Sequence, residues 1–425
     1  MENNFIIKGD ICFSEDLKNL NIFKNSYLIC LKGRSIGVFQ DIPEKYKNLE
    51  VKDYGNNLII PGITDLHIHA PQYDFRGTGM DLELLEWLEK NTFPEEAKFK
   101  NLAYANKAYE IFTKDLKKSV TTRACIFATL HKEATLLLMD KLETSGLVTM
   151  VGKINMNRNA PKILIEESED ISIQNTLDWL ERTKDKGYNN TYPILTPRFT
   201  PSCTDELMKK LKKIQKMYNL PLQSHLSENP NEIEWVKELC PWIEVYADSY
   251  KNFDLLGNEC KTIMAHCVYS GEKEIKILKE RGVFIAHCPE SNINLSSGIA
   301  PVRRFLNSGI NIGLGSDIAG GARLNMLFAM AQAIQVSKLY WRLQDKKSKP
   351  LCIEEVFYMA TIGGGSFFGK VGSFKKDYEF DAIVIDDASF ETTLELSIKE
   401  RLERVIYLGD ERNIKAKYVR GKKIL

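Results

Sequence analysis

From about residue 60 onward the chain alternates short β-branched runs with stretches whose apolar residues recur every three or four positions. The first pattern reads as strands, the second as helices with one buried face. Eight runs qualify as strands: Leu58–His69, Ser119–Thr129, Val148–Asn157, Tyr192–Thr200, Leu220–Ser227, Thr262–Tyr269, Val283–Cys288 and Ile310–Ser316. Between them, Thr204–Tyr218 sets Leu207, Leu211 and Ile214 on one face with lysines on the other, and Gly271–Arg281 and Leu324–Leu339 read similarly. Strands separated by helices imply parallel pairing, because each helix carries the chain back to start the next strand in the same direction. Eight such units over about 300 residues predict an α/β fold, a closed (β/α)8 TIM-like barrel. A doubly wound open sheet is the alternative, but no topological switch point marks one.

The two ends follow another pattern. Residues 5–57 carry short alternating runs (Phe5–Ile7, Ser26–Leu31, Ser35–Phe39) separated by polar turns, and the tail repeats this at Ala382–Ile385, Arg404–Tyr407 and Tyr418–Val419. Each end has too few strands for a stable sheet of its own, so both are expected to share one small β-sandwich. The expected division is residues 1–60 for its N-terminal part, 61–370 for the barrel and 371–425 for its C-terminal part.

Charge narrows the choice of partners. With 58 basic and 57 acidic residues the net charge is +1, which makes no case for nucleic acid or a charged membrane surface. No apolar run approaches the ~18 residues of a membrane span. The start, Met1-Glu2-Asn3-Asn4-Phe5, lacks the basic region and apolar core of a signal peptide. A cytoplasmic location is expected. Nine cysteines occur without any C-x-x-C, which predicts reduced, mostly buried thiols. A metal would then be held by histidine and carboxylate.

The first strand ends Asp65-Leu66-His67-Ile68-His69, and residues two apart on a strand face the same side, so both imidazoles converge. In a parallel barrel functional residues sit at the C-terminal ends of strands. There, strand five offers His225 with Glu228 three residues on, strand six His266, and strand eight Gly315-Ser316-Asp317. Taken singly, each has a plainer reading: a satisfied core histidine, or for Asp317 a helix N-cap. Taken jointly they offer imidazoles and a carboxylate to one ion. His131 and His287 read as structural.

The arrangement resembles the amidohydrolase superfamily and, within it, the guanine deaminase family. The resemblance spans nearly the whole chain. It rests on Pro61-Gly62-Ile63-Thr64-Asp65-Leu66-His67-Ile68-His69-Ala70-Pro71-Gln72-Tyr73, on Leu82-Glu83-Leu84-Leu85-Glu86-Trp87-Leu88 and on Thr92-Phe93-Pro94-Glu95-Glu96. Pro197-Arg198-Phe199, Ser224-His225-Leu226-Ser227-Glu228, Ala265-His266-Cys267, His287-Cys288-Pro289-Glu290-Ser291-Asn292 and Gly315-Ser316-Asp317 continue it. It implies hydrolytic deamination of guanine to xanthine and ammonia, with one zinc ion, or iron, held by His67, His69, His225 and Asp317. It also implies Glu228, His266 and Asp317 as catalytic groups, with Glu228 the proton shuttle. Gln72, Arg198, Phe199, His225, Glu228 and Asp317 are the implied substrate contacts, and a homodimer is the implied assembly.

Two-metal members of the superfamily carry a carboxylated lysine at the end of strand four. Here that strand ends Thr196-Pro197-Arg198-Phe199-Thr200, so a single ion is expected, with Lys153 the one nearby candidate for a bridge. One departure is Asn157, where relatives usually have Asp. Two other readings compete. A deaminase or chlorohydrolase for another amino-heterocycle would differ at Gln72, Arg198 and Phe199, and a non-catalytic scaffold would be expected to have lost ligands. The zinc deaminases built on H-x-E and P-C-x-x-C are excluded, because His131-Lys132-Glu133 has no C-x-x-C to accompany it.

Overall fold

The computed structural model describes residues 4–425. Its strands are β1 (Phe5–Ser14), β2 (Leu20–Leu31), β3 (Arg34–Phe39), β4 (Val51–Pro61), β5 (Ile63–His69), β6 (Thr121–Phe127), β7 (Val148–Gly152), β8 (Ile154–Asn155) and β9 (Thr191–Pro193). They continue with β10 (Thr196–Pro197), β11 (Leu222–Leu226), β12 (Thr262–His266), β13 (Phe284–His287), β14 (Asn311–Leu314), β15 (Ala382–Ile385), β16 (Ile414–Val419) and β17 (Lys422–Lys423). Helices separate most strands from β5 to β14, and the three proposed from periodicity are Asp205–Tyr218, Glu272–Glu280 and Met326–Leu343. No helix among the described residues is long and apolar enough to cross a membrane.

Two four-stranded parallel sheets, β5-β6-β7-β9 and β11-β12-β13-β14, carry the centre of the molecule, and β8 pairs with β10. A bridge between Leu195 and Leu222 links the two sheets. At their other edges, the Asp317 N–H donates to the His67 carbonyl at 2.8 Å and the His69 N–H to the Ile318 carbonyl at 3.2 Å. Every residue of β5 and β6 is buried, as strands covered on both faces must be.

The run Leu58–His69 is divided between two sheets. It ends β4 at Pro61 and begins β5 at Ile63, with Gly62 between. A Cβ on Gly62 would lie 2.2 Å from Thr122 Oγ1, so only glycine lets the chain cross here. The run Tyr192–Thr200 is broken into β9 and β10, since Pro193 and Pro197 bring no N–H to a ladder.

Both termini contribute to one sheet, ordered β17-β16-β15-β4-β1-β2-β3. Alternation along β4 and β15 serves two cores. Ile59, Ala382 and Val384 pack with Phe5, Phe13, Phe374, Phe380 and Tyr418, while Leu58, Ile60, Ile383 and Ile385 join the main core. One expected strand is a helix: Arg404–Tyr407 lies within Ile398–Leu408. Ser397 and Glu400 form its capping box, and Leu402, Val405 and Ile406 are buried at helical spacing. A four-residue window is too short to separate the two periods.

Arg123 fastens the terminal sheet to β6. Its Nε donates to Asp381 Oδ2 at 2.6 Å and its Nη2 to Glu379 Oε2 at 2.7 Å. Arg123→Ala strips the fully buried Asp381 of its counter-charge and is expected to destabilise the fold by about 3–5 kcal/mol. A lower urea midpoint is the readout, and an unchanged midpoint contradicts the role.

Candidate metal centre and substrate pocket

Strand β5 ends with His67 and His69 buried side by side. Their Nε2 atoms are 3.2 Å apart, and His225 Nε2, from β11, lies 3.3 Å from that of His69. Asp317, just beyond β14, puts Oδ1 3.1 Å from His67 Nε2 and 3.4 Å from His69 Nε2. Asp65 ties these strand ends together: Oδ1 accepts the N–H groups of His67 and Ser316, at 3.2 and 3.0 Å, and Oδ2 accepts the Ser316 hydroxyl at 2.5 Å.

This cluster fits a metal. His225 Nδ1 donates to the Arg198 carbonyl at 2.6 Å, leaving a lone pair on Nε2 aimed at the cluster, the form that binds a cation. With that proton committed elsewhere, three nitrogens and a carboxylate oxygen crowd one point with few hydrogens to share. Two overlapping groups, His67/His69/His225 and His67/His266/Asp317, each keep their ligand atoms within 4.8 Å. Burial, then His67, holds the His69 pKa well below its ordinary value, and burial, then His67 and His266, does so for His225. Neutral rings are what coordination requires. Burial works against the Asp317 carboxylate, but the adjoining His67 holds its pKa well below the ordinary range.

Glu228 is the opposite case. Burial, then the charge of Asp317, pushes its carboxyl well above the ordinary range. Its Oε1 accepts from Ser297 Oγ at 3.2 Å, and Oε2 lies 3.4 Å from His266 Nε2. His266 Nδ1 donates to Asn292 Oδ1 at 2.9 Å, which turns Nε2 toward Glu228 and toward Asp317 Oδ2 at 3.7 Å. Two carboxyls with pKa values driven apart suit one to carry protons while the other stays charged. His266 and Asp317 also hold left-handed backbone, at φ 72° and 47°.

The pocket beside this cluster is lined by Gln72, Arg198, Phe199 and, from the segment Leu84–Leu88, by Leu84, Trp87 and Leu88. The Phe199 ring stands edge-on to Trp235, 6.1 Å away at 75°. The model of the amidohydrolase family matches residues 58–424. Guanine deaminase of Dictyostelium discoideum is 40% identical across 99% of this chain and 98% of its own length. This chain belongs to the amidohydrolase family, in its guanine deaminase branch. The human guanine deaminase is 39% identical, covering 89% of this chain and 86% of that protein. A crystal structure of guanine deaminase from C. acetobutylicum with bound guanine in the active site superposes with a TM-score of 0.96, at 48% identity, over 99% of this chain and 100% of that one.

Within this guanine deaminase branch, the residues expected from the sequence come together. His69, Gln72, Arg198, Phe199, His225, Glu228, His266 and Asp317 share one pocket, and His67 lies beneath it, fully buried. Lys153 is not part of it. Its Nζ is held by Glu166 Oε1 at 2.7 Å and the Ile154 carbonyl at 2.9 Å, a buried ion pair outside both ligand groups. His131 and His287 also lie outside those groups. Asn157 needs no charge where it stands: Oδ1 accepts the Thr204 N–H and Nδ2 donates to Thr204 Oγ1, both at 2.9 Å, pinning the loop after Phe199.

Four supporting residues escape sequence reasoning: Glu96, Glu232, Asn292 and Ser297. Glu232 Oε2 accepts the N–H groups of Glu228 and Asn229, at 2.9 and 3.3 Å, and Oε1 accepts the Tyr246 hydroxyl at 2.8 Å. Burial, then Glu228, pushes the Glu232 carboxyl up to about 7. Its signal was the capping box Asn229-Pro230-Asn231-Glu232 directly after Glu228.

Proposed function

We propose that this chain is a guanine deaminase, hydrolysing guanine to xanthine and ammonia with one zinc ion held by His67, His69, His225 and Asp317. The observation that carries the proposal is the meeting, in one pocket, of that ligand set with Glu228 and the Gln72–Arg198 pair. The family branch to which the chain belongs supports the substrate. A bound zinc ion supplies an acidified water, its pKa brought to about 7, as the nucleophile.

The chain's own groups account for the remaining steps. Phe199, backed by Trp235, packs on the purine ring. Gln72 and Arg198 face the oxo group and N7 with N–H donors. Glu228 takes a proton from the attacking water and delivers it to the ring nitrogen beside C2 as the oxygen adds to that carbon. The resulting carboxylate then takes the proton from the added oxygen and passes it to the departing amine, so that ammonia leaves and the carbonyl of xanthine forms. His266, fixed by Asn292, holds the attacking oxygen between Glu228 and Asp317.

The same reading extends to architecture. The two parallel sheets, joined at Leu195–Leu222 and at His67–Asp317, close as a (β/α)8 barrel over residues 61–370. Residues 4–60 and 371–425 make the small β domain expected as a sandwich, its one seven-stranded sheet packed on the aromatic core of Phe5, Phe374 and Phe380, while residues 1–3 of the expected division lie outside the described residues. The working form is a homodimer, as the family resemblance implies. A panel of guanine, adenine, cytosine and an aminotriazine, assayed for ammonia release with zinc-loaded protein, tests the function. Guanine is expected to be the preferred substrate by a wide margin, and preference for the triazine would transfer the site to the competing reading.

A further inference from the structure

Glu96 sits on the short helix Phe93–Ala97 and is 1% exposed. Its carboxylate gathers three donors from the substrate wall. Arg198 Nη1 reaches Oε2 at 2.5 Å, Arg198 Nη2 reaches Oε1 at 3.2 Å, and Gln72 Nε2 reaches Oε1 at 2.9 Å. The other end of the Gln72 amide is fixed too, since Oε1 accepts the Ala319 N–H at 3.0 Å. Turning that amide over would set its NH2 against the Ala319 N–H and its oxygen against the Glu96 carboxylate, two repulsive pairs. Phe93, on the same helix, places its ring 5.3 Å from the Arg198 guanidinium. One residue thereby orients both recognition side chains. The Gln72 NH2 keeps one N–H beyond those the protein engages, and the guanidinium keeps others of its five.

Building on the guanine deaminase reading, we infer that Glu96 is a positioning residue that sets the choice between an oxo and an amino group at purine C6. The oxo group and N7 make an edge of two acceptors, whereas a 6-amino group puts a donor there. Donors fixed by Glu96 meet the first edge and oppose the second. Buried polar groups left unpaired by the wrong substrate make such rejection strong.

The test compares kcat/KM for guanine with that for 2,6-diaminopurine, which keeps the 2-amino leaving group and exchanges the 6-oxo group and the N1 proton beside it for a 6-amino group and a bare N1. In Glu96→Gln the new amide can donate to the Gln72 oxygen, so the Gln72 amide is free to turn over. The guanine preference is expected to fall at least about tenfold, mainly through KM, with metal content unchanged. A preference held within about twofold overturns the inference, even if both substrates slow together, because an equal loss is what a purely structural role produces. Should that variant not fold, the unmodified enzyme gives a second reading. Hypoxanthine is expected to inhibit at least about tenfold more strongly than adenine, and equal inhibition overturns the inference. Unmodified, metal-loaded protein that releases no ammonia from guanine removes the functional proposal and this inference with it.

Discussion

Glu228→Gln is expected to lower kcat for guanine by at least about a hundredfold while leaving the fold and the bound metal unchanged. The amide keeps the size of the carboxyl and can still accept from Ser297, which holds Oε1 at 3.2 Å. The Glu228 backbone is held separately, through its N–H on Glu232. What the substitution removes is the exchangeable proton. Burial and the neighbouring Asp317 push the Glu228 carboxyl well above the ordinary carboxylate range, which suits the side chain to take up a proton and hand it to the base. Circular dichroism and metal analysis establish that the variant is intact. Near-normal xanthine formation by intact variant protein removes Glu228 from the proton path.

Arg198→Met is expected to reduce kcat/KM for guanine by about 2–4 kcal/mol, roughly 30- to 1,000-fold, through lost recognition in a buried site. The structure adds a second consequence that the sequence does not contain. Arg198 is the counter-charge of buried Glu96, so its removal also leaves a carboxylate stranded, at a cost to folding of about 3–5 kcal/mol. Arg198→Lys separates the two effects. A lysine keeps the charge near Glu96 but not the planar fork, so stability is expected to recover more fully than kcat/KM. Unchanged kcat/KM in the Met variant takes Arg198 out of the substrate wall, and an unchanged urea midpoint takes Glu96 out of the ion pair.

The candidate metal ligands were legible because they stand at the ends of three separate β-branched runs, and strand periodicity alone puts His67 and His69, which share the first, on one face. Glu228 was legible for the same reason, three residues past a strand end. Glu96 was not, although it stands inside a motif that marks the family. Its partners are Gln72, 24 residues away, and Arg198, 102 residues away, and no local period connects them. Asn292 and Ser297 were hidden likewise, since each bonds its partner, His266 or Glu228, across the fold. The fold shows the same division. Alternation predicted β15 and helical spacing predicted Asp205–Tyr218, but Arg404–Tyr407 was read with the wrong period because only its wider window, from the Ser397 cap onward, shows the helix. The break of the first run at Gly62 depends on Thr122, a neighbour that only the folded chain provides.

The central claim is that the His67/His69/His225/Asp317 cluster holds a metal with which this pocket converts guanine. The measurement that tests it most directly follows guanine, xanthine and ammonia in one sample as the metal is stripped by a chelator and then restored as zinc. The account predicts xanthine and ammonia in equal amounts, loss of both with the metal, and recovery with about one zinc per chain. Protein that takes up zinc and still forms no xanthine, or that forms it at full rate after the metal is gone, contradicts it.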